Sequence, residues 1–262
     1  AHIHGGEVSE GAIDEVFRHA ITKMSHLHFP ATEEYAQRII QMGEHPERVF
    51  TCGAPGLDNL NQITRMSARE LEEDLGVSLD GDVILVTYHP VTRELGQTSE
   101  QFNQCLLVLK ETETTVIFTY PNADPSGRVI IEMINQFVES QDRAFAFENL
   151  GTKRYFSLMS QATVMLGNSS SGIIEAASFG LPVLNIGNRQ RGRSKGRNVV
   201  DVAPQQEEMG KALSKVLSRE FRQSLDGMEN IYGDGHAAAK IATVLSEWKL
   251  DSAGAMKSFF EG

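Results

Sequence analysis

Two stretches of this 262-residue chain concentrate groups that could do chemistry. The first is Gly167-Asn-Ser-Ser-Ser-Gly172, with Glu175 three residues further on. Its glycines permit positive φ and close backbone approach, while the hydroxyls and the free N–H groups of a helix start face an anion. A carboxylate at Glu175 cannot favour phosphate, but it can accept hydrogen bonds from a ribose diol beyond the phosphates. The competing reading is a plain serine-rich N-cap. A nucleophilic serine fits less well, because Ser-Ser-Ser lacks the Gly-x-Ser-x-Gly elbow. The second stretch, His2-Ile-His4-Gly-Gly-Glu7 followed by Asp14, Glu15, Arg18 and His19, is dense in acid/base groups. Proton abstraction from carbon needs a positioned carboxylate or imidazole, and this stretch supplies several. For Asp14 the alternative is an acid favoured by the dipole of a helix start.

Other residues gain meaning from their place. Arg189, Arg191, Arg193, Lys195 and Arg197 are five cations in nine residues of a chain with net charge −11. Separated by glycines, they form a loop expected to be mobile and able to close on a diphosphate with planar guanidinium groups, or else simply a solvated basic loop. Arg189 lies nearest the preceding apolar run. His89, in Val-Thr-Tyr-His-Pro, could donate to a phosphate, protonate a leaving oxygen or hold a sugar, and Asn122 could contact substrate; either could equally be structural. His2-x-His4 and His26-x-His28 also have the spacing of paired metal ligands, although no carboxylate-rich metal set appears later in the chain.

The elements that must position these groups follow from the apolar pattern. Runs at Val83–Tyr88, Thr115–Tyr120, Ala144–Phe147, Thr163–Leu166, Pro182–Ile186 and Asn198–Val202 are short, unbroken and β-branched or aromatic. Helical patterns at Glu100–Lys110, Arg128–Val138, Arg154–Gln161 and Gly172–Phe179 lie between them. This alternation predicts a parallel α/β sheet covered on both faces, with ligands at the carboxyl ends of the strands. Upstream, Thr32 predicts an N-cap, Gly43 a helix stop, Val49–Cys52 a short strand, and Ser67 to Glu70 a capping box. The expected division is 1–64 for the end of a first α/β domain, 65–250 for a complete second one and 251–262 for a tail. Lys and Arg number 24 against 35 Asp and Glu, an acidic balance that argues against nucleic acid as a partner. Two cysteines suit a reducing cytoplasm, and no apolar run approaches the length of a membrane span. The opening residues read as a strand end entering a functional loop, so a longer chain upstream of Ala1 is expected.

Seven motifs together resemble the hydrolysing UDP-N-acetylglucosamine 2-epimerases, both the bacterial sialic-acid-pathway enzymes and the epimerase half of the bifunctional animal enzyme. They are His2-Ile-x-Gly-Gly-Glu7, Ala12-Ile-Asp14, Arg18-His-Ala-Ile-Thr-Lys23, His89-Pro-Val-Thr92, Pro121-Asn-x-Asp124, Gly167-Asn-Ser-Ser-x-Gly172 and Ile231-Tyr-Gly-Asp-Gly235. The resemblance implies a glycosyltransferase-B-like fold of two Rossmann-like parallel-sheet domains, with an active site between them and the first domain incomplete in this chain. It implies conversion of UDP-GlcNAc and water to N-acetylmannosamine and UDP. UDP leaves by anti-elimination through a glycal, which is then hydrated, in sialic-acid-type biosynthesis and without metal or redox cofactor. Ser169 and Ser170 match diphosphate contacts, Glu175 a ribose contact, Arg189 a nucleotide contact, His89 an active-site histidine and Asp14 an acid of proton transfer. Some members of the family carry glutamate where this chain has His4, so the base is His4, Glu7 or Asp14. A cytoplasmic homo-dimer or tetramer is implied.

Two further readings stand beside this one. A related enzyme could act on UDP-2,4-diacetamido-trideoxyhexose in a legionaminic-type pathway, sharing every motif. A UDP-sugar-binding module that has lost catalysis would share them too. Residues 1–262 on their own are expected to lack epimerase activity.

Overall fold

The computed structural model describes residues 1–8, 14–91, 96–121, 125–249 and 256–261. In chain order its strands are β1 (His2–Ile3), β2 (His28–Phe29), β3 (Val83–Thr87), β4 (Thr115–Thr119), β5 (Ala144–Phe147), β6 (Val164–Gly167), β7 (Val183–Ile186) and β8 (Val199–Val202). Its α-helices are α1 (Asp14–Met24), α2 (Glu33–Gln41), α3 (Asn59–Gln62), α4 (Ala68–Leu75), α5 (Thr98–Lys110), α6 (Pro125–Glu139), α7 (Gly151–Gln161), α8 (Ser170–Ile174), α9 (Gln206–Leu217), α10 (Arg219–Gln223) and α11 (Ala237–Glu247). They fall into two compact units. Unit 1 is Ala1–Gln62, Arg191–Ser194 and Glu229–Gly262; unit 2 is Ile63–Gln190 and Lys195–Met228.

Unit 2 is built on six parallel strands in the order β5-β4-β3-β6-β7-β8. Each of the six apolar runs read from the sequence is one of these strands. All five residues of β3 and of β4 are buried, as expected of strands covered on both faces. On one face Ile84 and Val86 of β3 pack with Phe102 and Leu109 of α5, Ile130 and Ile134 of α6, and Met209 and Val216 of α9. The chain runs outward from β3 to β5, then returns to place β6 on the other side of β3. The carboxyl ends of β3 and β6, paired through Thr87 and Gly167, therefore form the topological switch point at which doubly wound sheets bind ligands. Ser67 and Glu70 make the expected capping box of α4, which Gly76 closes with φ +67°.

Unit 1 carries a two-stranded parallel sheet in which His2 pairs with His28 and Ile3 with Phe29. Thr32 caps α2 as its sequence implies, accepting from Tyr35 N. Val49–Cys52 does not become a regular strand. It meets β2 through one bridge at Val49 and backbone bonds from Phe50 to His28 and from Cys52 to Pro30, before Gly53 turns the chain at φ +91°.

The division also differs from the sequence expectation, which carried the second domain to 250. Residues 229–262 belong to unit 1, because Ala237 and Ile241 of α11 pack on Leu27, Phe29 and Cys52. Asp58 fixes the start of α11 from 179 and 180 positions away, accepting from Ala237 N at 2.8 Å and Ala238 N at 2.7 Å. Among the described residues no helix is long and apolar enough to cross a membrane.

Candidate functional site

Gly167 ends β6 at φ +140°, and a Cβ there would stand 2.0 Å from the Thr87 carbonyl oxygen. Only glycine lets the two strand ends come this close. Asn168 follows, 1% exposed, and every polar group it has is engaged. Its N–H donates to Thr87 O at 3.2 Å. Its side-chain oxygen accepts from His89 N at 2.7 Å, and its Nδ2 donates to His89 O at 2.8 Å. Its carbonyl accepts from Arg189 Nη1 at 2.9 Å and Gln190 Nε2 at 2.8 Å. Asparagine alone offers a donor and an acceptor at this reach, since Asp cannot donate and Gln is a methylene longer. One residue thus joins the end of β3, the turn after β6 and the loop after β7.

The helix after this turn starts earlier than its sequence suggests. Ser169 is the N-cap, accepting from Ser171 N at 3.3 Å, and α8 opens at Ser170. Gly172 lets α8 approach β7, where a Cβ would lie 2.9 Å from Val183 Cγ1. At Glu175 the helix changes to a 3₁₀ turn, Ala176–Phe179, which Gly180 ends at φ +60°. Ser169, Ser170 and Glu175 are half-buried, as is His89. Beneath them burial pushes the Tyr155 hydroxyl above its ordinary pKa; Ser171 and Thr87, as hydrogen-bond partners, oppose this and the Glu175 carboxylate adds to it. The Thr87 and Thr119 hydroxyls lie 2.6 Å apart at the same sheet edge.

The basic loop is engaged with protein groups, although Arg189, Arg191 and Arg197 remain exposed. Arg189 reaches Asn168, Lys195 pairs with Asp201 at 2.8 Å, and Arg197 donates to Asp226 O at 3.1 Å. Arg193 belongs to unit 1, where its Nη2 lies 3.2 Å from Glu7 Oε2.

In unit 1, His4 Nδ1 is 3.7 Å from Glu7 Oε1, and Arg18 Nη1 donates to Glu7 O at 3.1 Å and to Glu15 at 2.7 Å. Burial lowers the His4 pKa; the Glu7 carboxylate opposes this and the Arg193 charge adds to it. His4 also adopts φ +65°, the one non-glycine among the described residues with positive φ. Two of the spaced histidines are held by hydrogen bonds within unit 1. His2 Nδ1 meets Thr22 Oγ1 at 3.0 Å, and His28, fully buried, meets Glu44 at 2.9 Å. Lys23 and Lys257 also pair with Glu44, each at 2.6 Å. Among the described residues no three His, Cys, Asp or Glu side chains converge as metal ligands.

Asp14 begins α1, but its side chain lies outside the described residues, as does Asn122 altogether. Sequence reasoning missed Asn168 and Gln190, whose roles depend on partners 79 and 22 positions away. The available signal was an asparagine between a strand-ending glycine and an N-cap serine.

Comparison with known proteins gives these residues a context. A profile of the UDP-N-acetylglucosamine 2-epimerase family matches residues 1–246. A Campylobacter jejuni protein named GDP/UDP-N,N'-diacetylbacillosamine 2-epimerase (hydrolyzing) is 39% identical over 225 residues, covering 85% of this chain and 58% of the relative. A Legionella pneumophila UDP-N,N'-diacetylbacillosamine 2-epimerase (hydrolyzing) is 38% identical over 252 residues, 96% of this chain and 65% of its own length. The chain therefore spans about three fifths of the curated relatives it matches. The crystal structure of Neisseria meningitidis UDP-GlcNAc 2-epimerase bound to UDP-GlcNAc superposes with a TM-score of 0.80 at 19% identity, over 94% of this chain and 69% of that one. It shares the α/β, glycosyltransferase-B-like fold class expected from the sequence. On the family profile and the two relatives, the chain belongs to the UDP-N-acetylglucosamine 2-epimerase family.

Proposed function

We propose that the whole protein is a hydrolysing 2-epimerase of a UDP-linked 2-acetamido sugar. The observation that carries this reading is the joint at Asn168, which gathers His89, Ser169, Ser170 and Arg189 around one turn at the switch point of the unit 2 sheet. In this reading the Ser169 and Ser170 hydroxyls and the α8 N–H groups hold the diphosphate. Glu175 accepts from the ribose hydroxyls, Arg189 contacts the nucleotide, and Asn122 contacts substrate. His89 donates to the oxygen that departs with UDP.

The reaction begins when a base, one of His4, Glu7 and Asp14, takes the C2 proton. The C–H electron pair forms the C1=C2 bond, and the C1–O bond breaks with its pair leaving on the β-phosphate. Water then adds its hydroxyl to C1 and a proton to C2 on the opposite face, giving the free 2-epimeric sugar. No electron leaves the substrate, so the balance calls for no oxidant or reductant.

The two relatives at 38 and 39% identity are both named for N,N'-diacetylbacillosamine nucleotides, which favours a UDP-2,4-diacetamido-trideoxyhexose over UDP-GlcNAc as substrate. The second reading, UDP-GlcNAc to N-acetylmannosamine, rests on the family profile. Two free cysteines, both buried, fit a reducing cytoplasm, and light scattering on the purified protein would test the expected dimer or tetramer. Incubating the full-length protein with each nucleotide in D2O and following it by proton NMR decides among these readings. The expected result is free 2-epimeric sugar carrying deuterium at C2, formed faster from the diacetamido nucleotide. If neither nucleotide releases UDP, the proposal falls.

A further inference from the structure

Arg193 differs from the cations around it in what it touches and in how its backbone is held. It makes an ion pair with Glu7 in which the side chains are 16% and 6% exposed. The adjoining Ser194 is closed into a ring of hydrogen bonds with two buried tyrosines. Ser194 N–H donates to Tyr35 Oη at 3.2 Å, the two tyrosine hydroxyls lie 2.8 Å apart, and Tyr232 Oη bonds the Ser194 carbonyl at 2.9 Å. A carbonyl can only accept, so Tyr232 donates to it, Tyr35 donates to Tyr232, and the Tyr35 oxygen receives the Ser194 N–H. One proton arrangement satisfies every member.

Tyr232 is itself fixed, because its carbonyl accepts from Ala54 N at 2.7 Å beside the close crossing of Gly233 over Gly53. The Ile231-to-Gly235 motif is thereby a backbone device that sets Tyr232, and through it Ser194 and Arg193. The pair it delivers is half matched. Glu7 Oε1 and Arg193 Nη1 are buried with no hydrogen-bond partner among the described residues. Buried polar atoms are rarely left so without a reason.

We infer that Arg193 is a positioning residue for Glu7 rather than a phosphate ligand, an inference that rests on the epimerase reading above. The guanidinium holds Glu7 by one oxygen and leaves the other, beside His4, to meet the sugar. Lysine, a single point charge on a flexible stem, cannot supply the same planar grip.

The test uses the full-length enzyme and its Arg193→Ala, Arg193→Lys and Tyr232→Phe variants. Arg193→Ala is expected to lower kcat about 100-fold, the scale of a misplaced catalytic group, while UDP binding changes less than about threefold. Arg193→Lys should recover only part of the loss, and Tyr232→Phe, with Arg193 and Glu7 both intact, should lose part of it. Guanidinium salt at millimolar concentration should restore turnover to Arg193→Ala and leave the parent enzyme unmoved. An NMR titration of His4, which needs no turnover, should shift to higher pH in Arg193→Ala as a nearby cation is lost. Weakening of UDP binding in step with kcat would make Arg193 a phosphate ligand and overturn the inference, and so would an unmoved His4 titration. An inactive parent enzyme would instead overturn the epimerase reading, leaving the titration to judge the Arg193–Glu7 pair.

Discussion

The turn after β6 and the loop after β1 both follow the carboxyl end of a short parallel strand, yet they are built on opposite plans. Around Asn168 the donors and acceptors are matched, and those that fix the turn are backbone groups or neutral amides, with Arg189 added from one side. Around Glu7 the groups are ionisable and buried or half-buried, two buried atoms lack hydrogen bonds among the described residues, and His4 sits at φ +65°. Backbone strain and unmatched charge both cost stability, and folds retain them chiefly where function uses them. The contrast teaches that unit 2 ends its strands in a turn whose polar groups are satisfied, whereas unit 1 keeps the groups proposed for proton transfer in a state that folding alone would not select.

The comparison breaks first if the turn proves tolerant. Gly167→Ala would set a Cβ 2.0 Å from Thr87 O at a φ that L-residues avoid, so unit 2 should lose about 3 kcal/mol or more in urea unfolding. An unchanged midpoint would mean that the strand ends are not pinned there. Asn168→Ala removes both bonds to the His89 backbone and should cost about 2 kcal/mol, read by the same unfolding curve and by faster amide exchange at His89.

Acid should weaken unit 1 through His28, whose pKa burial brings down from 6.5 to about 4. Between those values the unfolded chain binds a proton that the folded chain refuses. Stability is therefore full above about pH 6.5 and falls as pH drops toward 4. Burial would raise the Glu44 carboxyl, but the Lys23 and Lys257 ammonium groups hold it below its ordinary value, so its own contribution is lost only in stronger acid. His28→Gln should flatten the melting temperature between pH 7 and 4.5, and an equal slope in the variant would remove His28 as the cause.

The smallest effect separates the two plans most directly. His4→Gly relieves the positive φ and should stabilise the protein by about 0.5–1 kcal/mol while lowering turnover. A variant that is both less stable and fully active would reverse the contrast.

The unit 2 sheet was legible because its strands are buried on both faces, leaving unbroken apolar runs between helical patterns. Thr32 and Ser67 were legible because capping acts over three residues. Of the two-residue strands, β1 shows in the sequence only as a strand end entering a loop, and β2 only as the alternation of His26 and His28 with Leu27 and Phe29. Asn168, Gln190 and Asp58 escaped because each acts on a partner far along the chain, which local spacing cannot encode. Strand-end placement selected His89, Ser169, Ser170 and Arg189, and these gather at Asn168. Spacing could not tell Arg193 from the four cations beside it, since the distinction lies in the fold of Tyr35 and Tyr232.

Unit 1 is assembled from three separate stretches of chain, and that has a consequence for synthesis. Ala1–Gln62 leaves the ribosome before unit 2, yet α11 and the Tyr232 turn arrive only with Glu229–Gly262, after the whole of unit 2 has emerged. Until then Leu27, Phe29 and Cys52 have no α11 to cover them, and Tyr35 waits for its hydroxyl partner. Unit 2 can complete its sheet during translation, so the turn at Asn168 forms before the groups around Glu7 are fixed. Nascent chains halted just short of Glu229 should therefore show protease-resistant unit 2 beside an open unit 1. The cluster around Glu7 takes its final form late, when the chain that closes it has been made.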